Sequence, residues 1–407
     1  GIGPQKEAKL LAALDRVDEP RPPRGLLIHR ARRLLEEIAA PLGGTPAGDP
    51  RRYRDTNERF AVVVAADEPK PVLDAFASLP AIVSVLEQED RRAYGVTVEG
   101  VPVELVVAEP RRFGTELVRA TGSREYVAAL EPLPDAPDEQ GVYRRLGIPF
   151  VPPELRETPF RDEPPPLLEL ADVRGDLHCH TTWSDGTASV EEMALAAIER
   201  GYEYLAICDH TPAVGAVRGL TADDLRRQAL EIADVNEALA PFRVLRGSEC
   251  DVLPDGQLDL PDSLLSELDW VQASVHGGQR LPKAKQTERV VRALRNPHVS
   301  CLSHPKGRYV NRRPENELDV DTLIQVALEE GVALEVNGLP DRLDLRDVYV
   351  RQAIDAGVTI VCSTDAHSIR GLANMELSVA TARRGWARAA DVLNTRPLAE
   401  ILAWRRG

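Results

Sequence analysis

The residues best suited to chemistry recur at one kind of place, the end of a short apolar run. His178-Cys179-His180 and then Asp185 follow the first such run, His210 the second, Glu249 the third, His276 the fourth and His304 the fifth. Asp365-Ala366-His367 follows the seventh. Imidazole with carboxylate is the ligand set of Zn, Mn and Fe, and nine donors exceed what one tetrahedral ion can use. Read singly, a histidine such as His276 is an ordinary core or surface residue. Six of the chain's 8 histidines share this position, with carboxylates beside them. Two to three clustered divalent ions follow, with Mn²⁺ the best fit and Zn²⁺ the second candidate. Clustered ions bring the pKa of a bound water near neutrality and hold non-bridging oxygens, which is what phosphate-ester hydrolysis needs. His29 and His298 fall outside the pattern and read as surface residues.

A phosphate substrate also needs cations at the rim. Lys306 and Arg308, just after His304-Pro305, are best placed, with Arg312, Arg313, Arg218 and Lys283 behind them. Glu249, His210 and Arg308 are the candidate catalytic residues. The five cysteines, Cys179, Cys208, Cys250, Cys301 and Cys362, are widely spaced and form no CxxC pair. Neither a disulfide framework nor a zinc finger is indicated, and a reducing cytoplasm fits best.

These positions require a scaffold that brings strand ends together. Seven apolar runs, at 175–179, 203–208, 243–249, 269–275, 299–303, 332–337 and 358–363, alternate with helical patterns. Such alternation means a parallel sheet or barrel, whose C-terminal strand ends form the face where active sites are assembled. Residues two apart on a strand share a face, so His178 and His180 can point together while Cys179 faces the helices. The N-terminal part has helical patterns at 1–17, 24–39 and 72–79. It also has β-rich runs at 60–65, 94–98 and 101–107, which suggest a small antiparallel α+β unit. A helical, turn-rich stretch and a proline- and acid-rich linker precede the barrel.

At 407 residues, two or three domains are expected. The net charge of −15 counts against a binder that relies on phosphate neutralisation alone, but not against a nuclease whose metal ions supply the positive field. No run is apolar for long enough to span a bilayer and no secretory signal opens the chain, so no membrane partner is expected. The first residue is glycine rather than methionine, which reads as a fragment lacking its natural start.

Asp176-Leu177-His178-Cys179-His180-Thr181, Trp183-Ser184-Asp185-Gly186, Asp209-His210, Gly247-Ser248-Glu249, Ser274-Val275-His276, Ser303-His304-Pro305 and Ser363-Thr364-Asp365-Ala366-His367 resemble the polymerase-and-histidinol-phosphatase (PHP) superfamily over about residues 170–407. The resemblance implies a distorted seven-stranded β/α barrel. It also implies three ion sites: His178, His180, Glu249 and Asp365; Glu249, His276 and His304; and Asp185, His210 and His367. Gly1-Ile2-Gly3-Pro4, Phe113-Gly114, Thr121-Gly122-Ser123, 142–147 and 152–157 are further similar to bacterial family X DNA polymerases. That resemblance implies a helix-hairpin-helix remnant at 1–22, with Gly1 and Gly3 as a DNA phosphate-binding turn, and a polymerase palm at 23–110. A thumb-like region at 111–160, a linker at 161–172 and the PHP barrel at 173–407 would follow. Of the rim cations, Lys306, Arg308 and Lys283 are the candidate DNA phosphate contacts.

The palm departs from the family pattern. Arg59 and Ala61 stand where two catalytic aspartates belong, and Glu104 replaces the third. Two-metal nucleotidyl transfer needs that carboxylate trio, so a degenerate polymerase site is expected. The expected function is a metal-dependent phosphoesterase acting on DNA 3′ ends in gapped or nicked duplex, as a 3′-5′ exonuclease in repair. It would work as a monomer in the bacterial cytoplasm, on the nucleoid. The alternatives are a small-molecule phosphatase of the histidinol-phosphate type, a non-catalytic repair scaffold, or an active polymerase if the palm register is shifted.

Overall fold

Along residues 25–404, which the computed structural model describes, the chain builds two sheets in succession. The glycine turn expected around Gly1 and Gly3 lies outside the described residues. The first helix, Ile28–Ala39, turns Ile28, Ala31, Leu34, Leu35 and Ile38 inward at the three- and four-residue spacing of an amphipathic helix. The strands around it are β1 (Leu26–Leu27), β2 (Thr45–Gly48), β3 (Thr56–Asn57), β4 (Phe60–Ala65), β5 (Ile82–Gln88), β6 (Arg92–Thr97) and β7 (Pro102–Ala108). β1 pairs only with β3, and the other five form a sheet in the order β2-β4-β7-β6-β5.

This sheet is mixed rather than antiparallel. β4 and β7 run parallel, with Ala61 opposite Glu104, because helix Lys70–Ala77 and the β5–β6 hairpin lie between them in the chain. Three helices follow, Phe113–Thr121, Arg124–Leu130 and Glu139–Leu146, packed round Tyr126 and Tyr143, whose hydroxyls meet at 2.9 Å.

The second sheet is the scaffold of the site. Its strands are β8 (Gly175–Cys179), β9 (Tyr204–Ile207), β10 (Arg243–Asp251), β11 (Trp270–Ser274), β12 (Cys301–Leu302), β13 (Ala333–Asn337) and β14 (Ile360–Ser363), each parallel to the next in chain order. All seven are fully buried apart from Arg243 and Arg246 of β10, as expected when helices cover one face and neighbouring strands the other. The helices between them start on clear signals: Ser189 with Glu192, and Thr221 with Asp224, each form reciprocal capping boxes.

The sheet closes on itself. At the C-terminal end of the strands, Cys179 bridges Ala366 and the His180 amide donates to the Ala366 carbonyl at 2.8 Å. At the other end, Asn394 donates to the carbonyls of both Gly175 and Cys362 at 2.7 Å and accepts from the Cys362 amide. A barrel results.

Its first strand is irregular. Asp176 is opposite Leu205, but the next pair is Cys179 with Ile207, so β8 carries an extra residue. Such a bulge re-aims side chains. Leu177 packs in the inner cluster with Trp270 and Leu393, whereas Cys179, two residues on, packs outside against Met193 and Ala197.

The two halves meet through a small apolar cluster of Ile28, Leu343 and Leu377 with Tyr53, and through polar contacts. Arg308 on the barrel reaches Asp55 at 2.7 Å, Asn311 donates to the Gly25 carbonyl, and the Tyr53 hydroxyl meets Glu376 at 2.7 Å. Arg384 joins Glu157 at 2.9 Å and the Arg52 carbonyl at 2.7 Å. Among the described residues no helix is long and apolar enough to cross a membrane.

Candidate metal centre

Glu249, at the end of β10 and 1% exposed, is the hub of the barrel mouth. Its Oε2 lies 3.5 Å from His178 Nε2, 3.6 Å from His180 Nε2 and 3.0 Å from His210 Nδ1. Its Oε1 lies 2.8 Å from His304 Nε2 and 3.4 Å from His276 Nε2. Asp365 Oδ1 approaches His180 Nε2 at 3.1 Å and His178 Nε2 at 3.8 Å. Asp185 Oδ2 approaches His367 Nε2 at 3.3 Å and His210 Nε2 at 3.6 Å.

The structure thus brings all nine sequence-predicted ligands to one place. Three groups have donor atoms close enough to share an ion: His180 with Asp185, His210 and His367; His178 with His180 and Asp365; His210 with Glu249 and His276. His180 and His210 each belong to two groups, which the three expected sites did not include. His304 and Asp365 have φ of 26° and 52°. Left-handed backbone is strained for such residues and is held where a site needs it. Outside the cluster, His29 is exposed and His298 half-buried.

The electrostatics suit cations. Burial lowers His180 to about 3, with His367 and His210 adding to the effect, so its imidazole is neutral and ready to bind. Burial opposes charge on His210 and His276 as well, but Glu249 outweighs it and raises them to about 10 and about 9. Glu249 itself is pulled well below the usual carboxylate range: burial pushes it up, and His276, His178 and His210 overcome that. Carboxylates that hold protons on neighbouring imidazoles would exchange those protons for metal. The Nδ1 atoms of buried His180 and His304 have no hydrogen-bond partner, so the donor set fits divalent ions.

Sequence reasoning missed the groups that hold these ligands. Glu335, fully buried on β13, accepts from His178 Nδ1 at 2.6 Å, from Ser303 Oγ at 2.9 Å and from the His304 amide at 2.7 Å. It fixes the His178 tautomer that leaves Nε2 facing Glu249. Asp251 does the same for His276 Nδ1 at 3.2 Å. Asp209 anchors the turn before Asp185, accepting from the Thr181 amide and hydroxyl, Ser184 and Gln228. Each was findable as a carboxylate inside an apolar strand run or within two residues of a ligand.

Four of the six expected rim cations are engaged by other partners. Arg308 is buried, donating to the carbonyls of Arg342 and Leu343 and to Asp55. Lys306 is buried with Nζ on the Leu318 carbonyl at 2.9 Å, and Lys283 pairs with Asp319 at 2.7 Å. Arg218 pairs with Asp224. The cation that does face the centre is Arg342. It is 7% exposed, its Nε has no hydrogen-bond partner, and that atom lies 3.6 Å from Asp365 Oδ2.

All five cysteines are free and buried, and burial pushes the thiols of Cys250 and Cys362 up to about 12, far from nucleophilic. In the N-terminal sheet, Ala61 is buried, Arg59 donates to the Gly122 carbonyl at 3.0 Å, and Glu104 is bound to Arg92. Arg92 also pairs with Glu116.

The family model of the PHP domain matches residues 176–337. The chain is 36% identical over 438 aligned residues to the DNA polymerase/3'-5' exonuclease PolX of Bacillus subtilis (strain 168), covering 99% of this chain and 76% of that protein. A probable phosphatase of Acetivibrio thermocellus is 34% identical over 202 residues, covering 47% of this chain and 78% of that protein. Among solved structures, the ternary P/T complex of Leishmania infantum polymerase beta aligns with a TM-score of 0.29 and 14% identity, over 37% of this chain and 87% of that one.

Proposed function

The chain belongs to the family of the DNA polymerase/3'-5' exonuclease PolX, and from that premise we propose that its barrel is a metal-dependent phosphoesterase that removes nucleotides from DNA 3′ ends. The observation that carries this reading is the convergence of nine ligand side chains on buried Glu249. His178, His180, Asp365, Asp185, His210, His367, Glu249, His276 and His304 would hold two to three ions, Mn²⁺ in first place and Zn²⁺ in second. Bound divalent ions supply Lewis acidity and a water ionised near neutral pH, the chemistry that phosphodiester hydrolysis requires.

The chain's own groups do the rest. Glu249 stays ionised and holds the imidazoles of His178, His210 and His304 around one point. Glu335 and Asp251 keep His178 and His276 oriented. Arg342 offers its N–H fork to the non-bridging oxygens, where charge gathers as the P–O bond breaks. Arg308 is then a positioning residue, holding the segment that carries Arg342 against the N-terminal domain.

The N-terminal region would position gapped or nicked DNA without polymerising it, because Arg59 and Ala61 supply no carboxylate and Arg92 neutralises Glu104. The protein would act as a monomer, in the cytoplasm. The match to a probable phosphatase favours a second reading, hydrolysis of a small monoester. Metal-dependent release of product from 3′-labelled DNA, compared with histidinol phosphate, decides between them. The exonuclease reading fails if only histidinol phosphate is turned over.

A further inference from the structure

The barrel segment after β12 is built as a rigid arm. Tyr309 and Arg313 form an antiparallel bridge, and the Tyr309 carbonyl accepts from the amides of both Arg312 and Arg313. The Val310 amide is tied to the Asp341 carbonyl, and Asn311 to Gly25 of the N-terminal domain. This arm forms one wall of an open groove of about 670 Å³, and the Arg54–Thr56 turn of the N-terminal domain helps form the other.

The groove is strongly cationic for a chain of net charge −15. Arg54, Arg308, Arg312, Arg313 and Arg346 line it, against the two carboxylates Asp55 and Glu315. Arg312 is 72% exposed and only 3.7 Å from its nearest carboxylate, Asp341. Arg54 is 41% exposed. At one edge, two guanidinium groups approach the Tyr309 ring, Arg313 at 4.4 Å and Arg342 at 4.5 Å. Arg342 is more than nine-tenths buried, has an unpartnered Nε, and reaches the ligand Asp365. Tyr309 thus joins the groove's guanidinium groups to Arg342, which lies beside the metal centre.

We infer that this groove is the path by which a single-stranded DNA 3′ end reaches the barrel, its phosphates held by Arg54, Arg312 and Arg313 and the scissile phosphate by Arg342. The inference rests on the phosphoesterase reading and adds the strand's route. Guanidinium groups fit phosphate as a fork, and a row of them on both walls suits a chain of phosphates rather than one small monoester. It also explains how an acidic protein can take a polyanion, since the local field rather than the net charge steers it.

The test is binding of a short fluorescent single-stranded oligonucleotide to the full chain, measured by anisotropy across a salt series, beside hydrolysis by the same proteins. Arg54→Ala/Arg312→Ala, one change on each wall and neither buried, should weaken binding about tenfold and reduce the salt slope by roughly 0.7 per lost contact. Arg313→Ala is the second variant. Arg226→Ala/Arg295→Ala removes the same charge from exposed sites outside the groove and should bind as wild type does. Arg342→Ala should instead lower kcat by about 10²-fold, as losing one transition-state donor does. If the groove variants bind with wild-type affinity and salt slope, the route is wrong even where hydrolysis is intact. If wild type hydrolyses nothing but the groove variants still lose binding, the groove stands as a DNA-binding surface, and the exonuclease reading falls together with the route to it.

Discussion

His178 donates from Nδ1 to Glu335 at 2.6 Å across the floor of the barrel mouth, with both residues fully buried. Burial raises the Glu335 carboxyl, but His178 outweighs that and keeps it below its ordinary value, so the acceptor is an ionised carboxylate. Partners of this kind are worth about 10–100-fold in metal affinity. Glu335→Gln should retain the fold and lose metal in that range, measured by competition with a chelator. Unaltered affinity would show that His178 needs no orienting partner.

Mn²⁺ should support turnover better than Mg²⁺ after chelation and re-metallation. Six of the nine donors are imidazoles, which suit transition metals, whereas Mg²⁺ favours an octahedron of oxygens. Full activity with Mg²⁺ alone would contradict the donor argument.

Primer extension on gapped or nicked DNA should be undetectable with either ion. Ala61 sits opposite Glu104 in the parallel β4–β7 pair, and Arg92 already binds Glu104. Arg59 adds a positive charge nearby, so fixed carboxylates cannot hold two cations there. That should remove several kcal/mol of transition-state stabilisation, a rate loss of several orders of magnitude. Templated extension abolished by Glu104→Ala or Glu58→Ala would show that the N-terminal sheet carries an active polymerase site.

Acid should loosen the contact between the two halves. Burial raises the Asp55 and Glu157 carboxyls, but Arg308 on the first and Arg384 with Arg52 on the second outweigh it, and both end below their ordinary values. A depressed folded pKa means stabilisation that is complete above the ordinary carboxyl value of about 4 and lost as pH falls toward the folded one. Proteolysis of the 157–166 segment should therefore rise below about pH 4, and Arg308→Ala should shift that onset to higher pH. A rate independent of pH would remove these pairs from the junction.

The barrel was legible because its strands are short apolar runs, six of which end in a ligand, and all seven are found within about two residues of the expected places. The N-terminal sheet was read less well. β2 has no alternation and contains Pro46, while β5 is an edge strand with two register shifts that leave Val83 and Leu86 exposed, so its side chains follow no period of two. The ligands were visible because histidine is scarce. The rim was not, because arginine is common and its role depends on what it touches. Arg308, closest in sequence to His304, is turned toward the N-terminal domain, and Arg342 comes to the centre from a turn after β13.

The most direct measurement combines metal content and product release in wild type, Glu249→Ala and His180→Ala, each stripped of metal and reloaded with Mn²⁺. Wild type should release nucleotides from a 3′-labelled strand only after reloading. Both variants should keep the barrel's circular dichroism but carry less metal and show no release. Wild-type metal stoichiometry in both variants, or release that survives the loss of Glu249, would contradict the assignment of the barrel mouth as the hydrolytic centre.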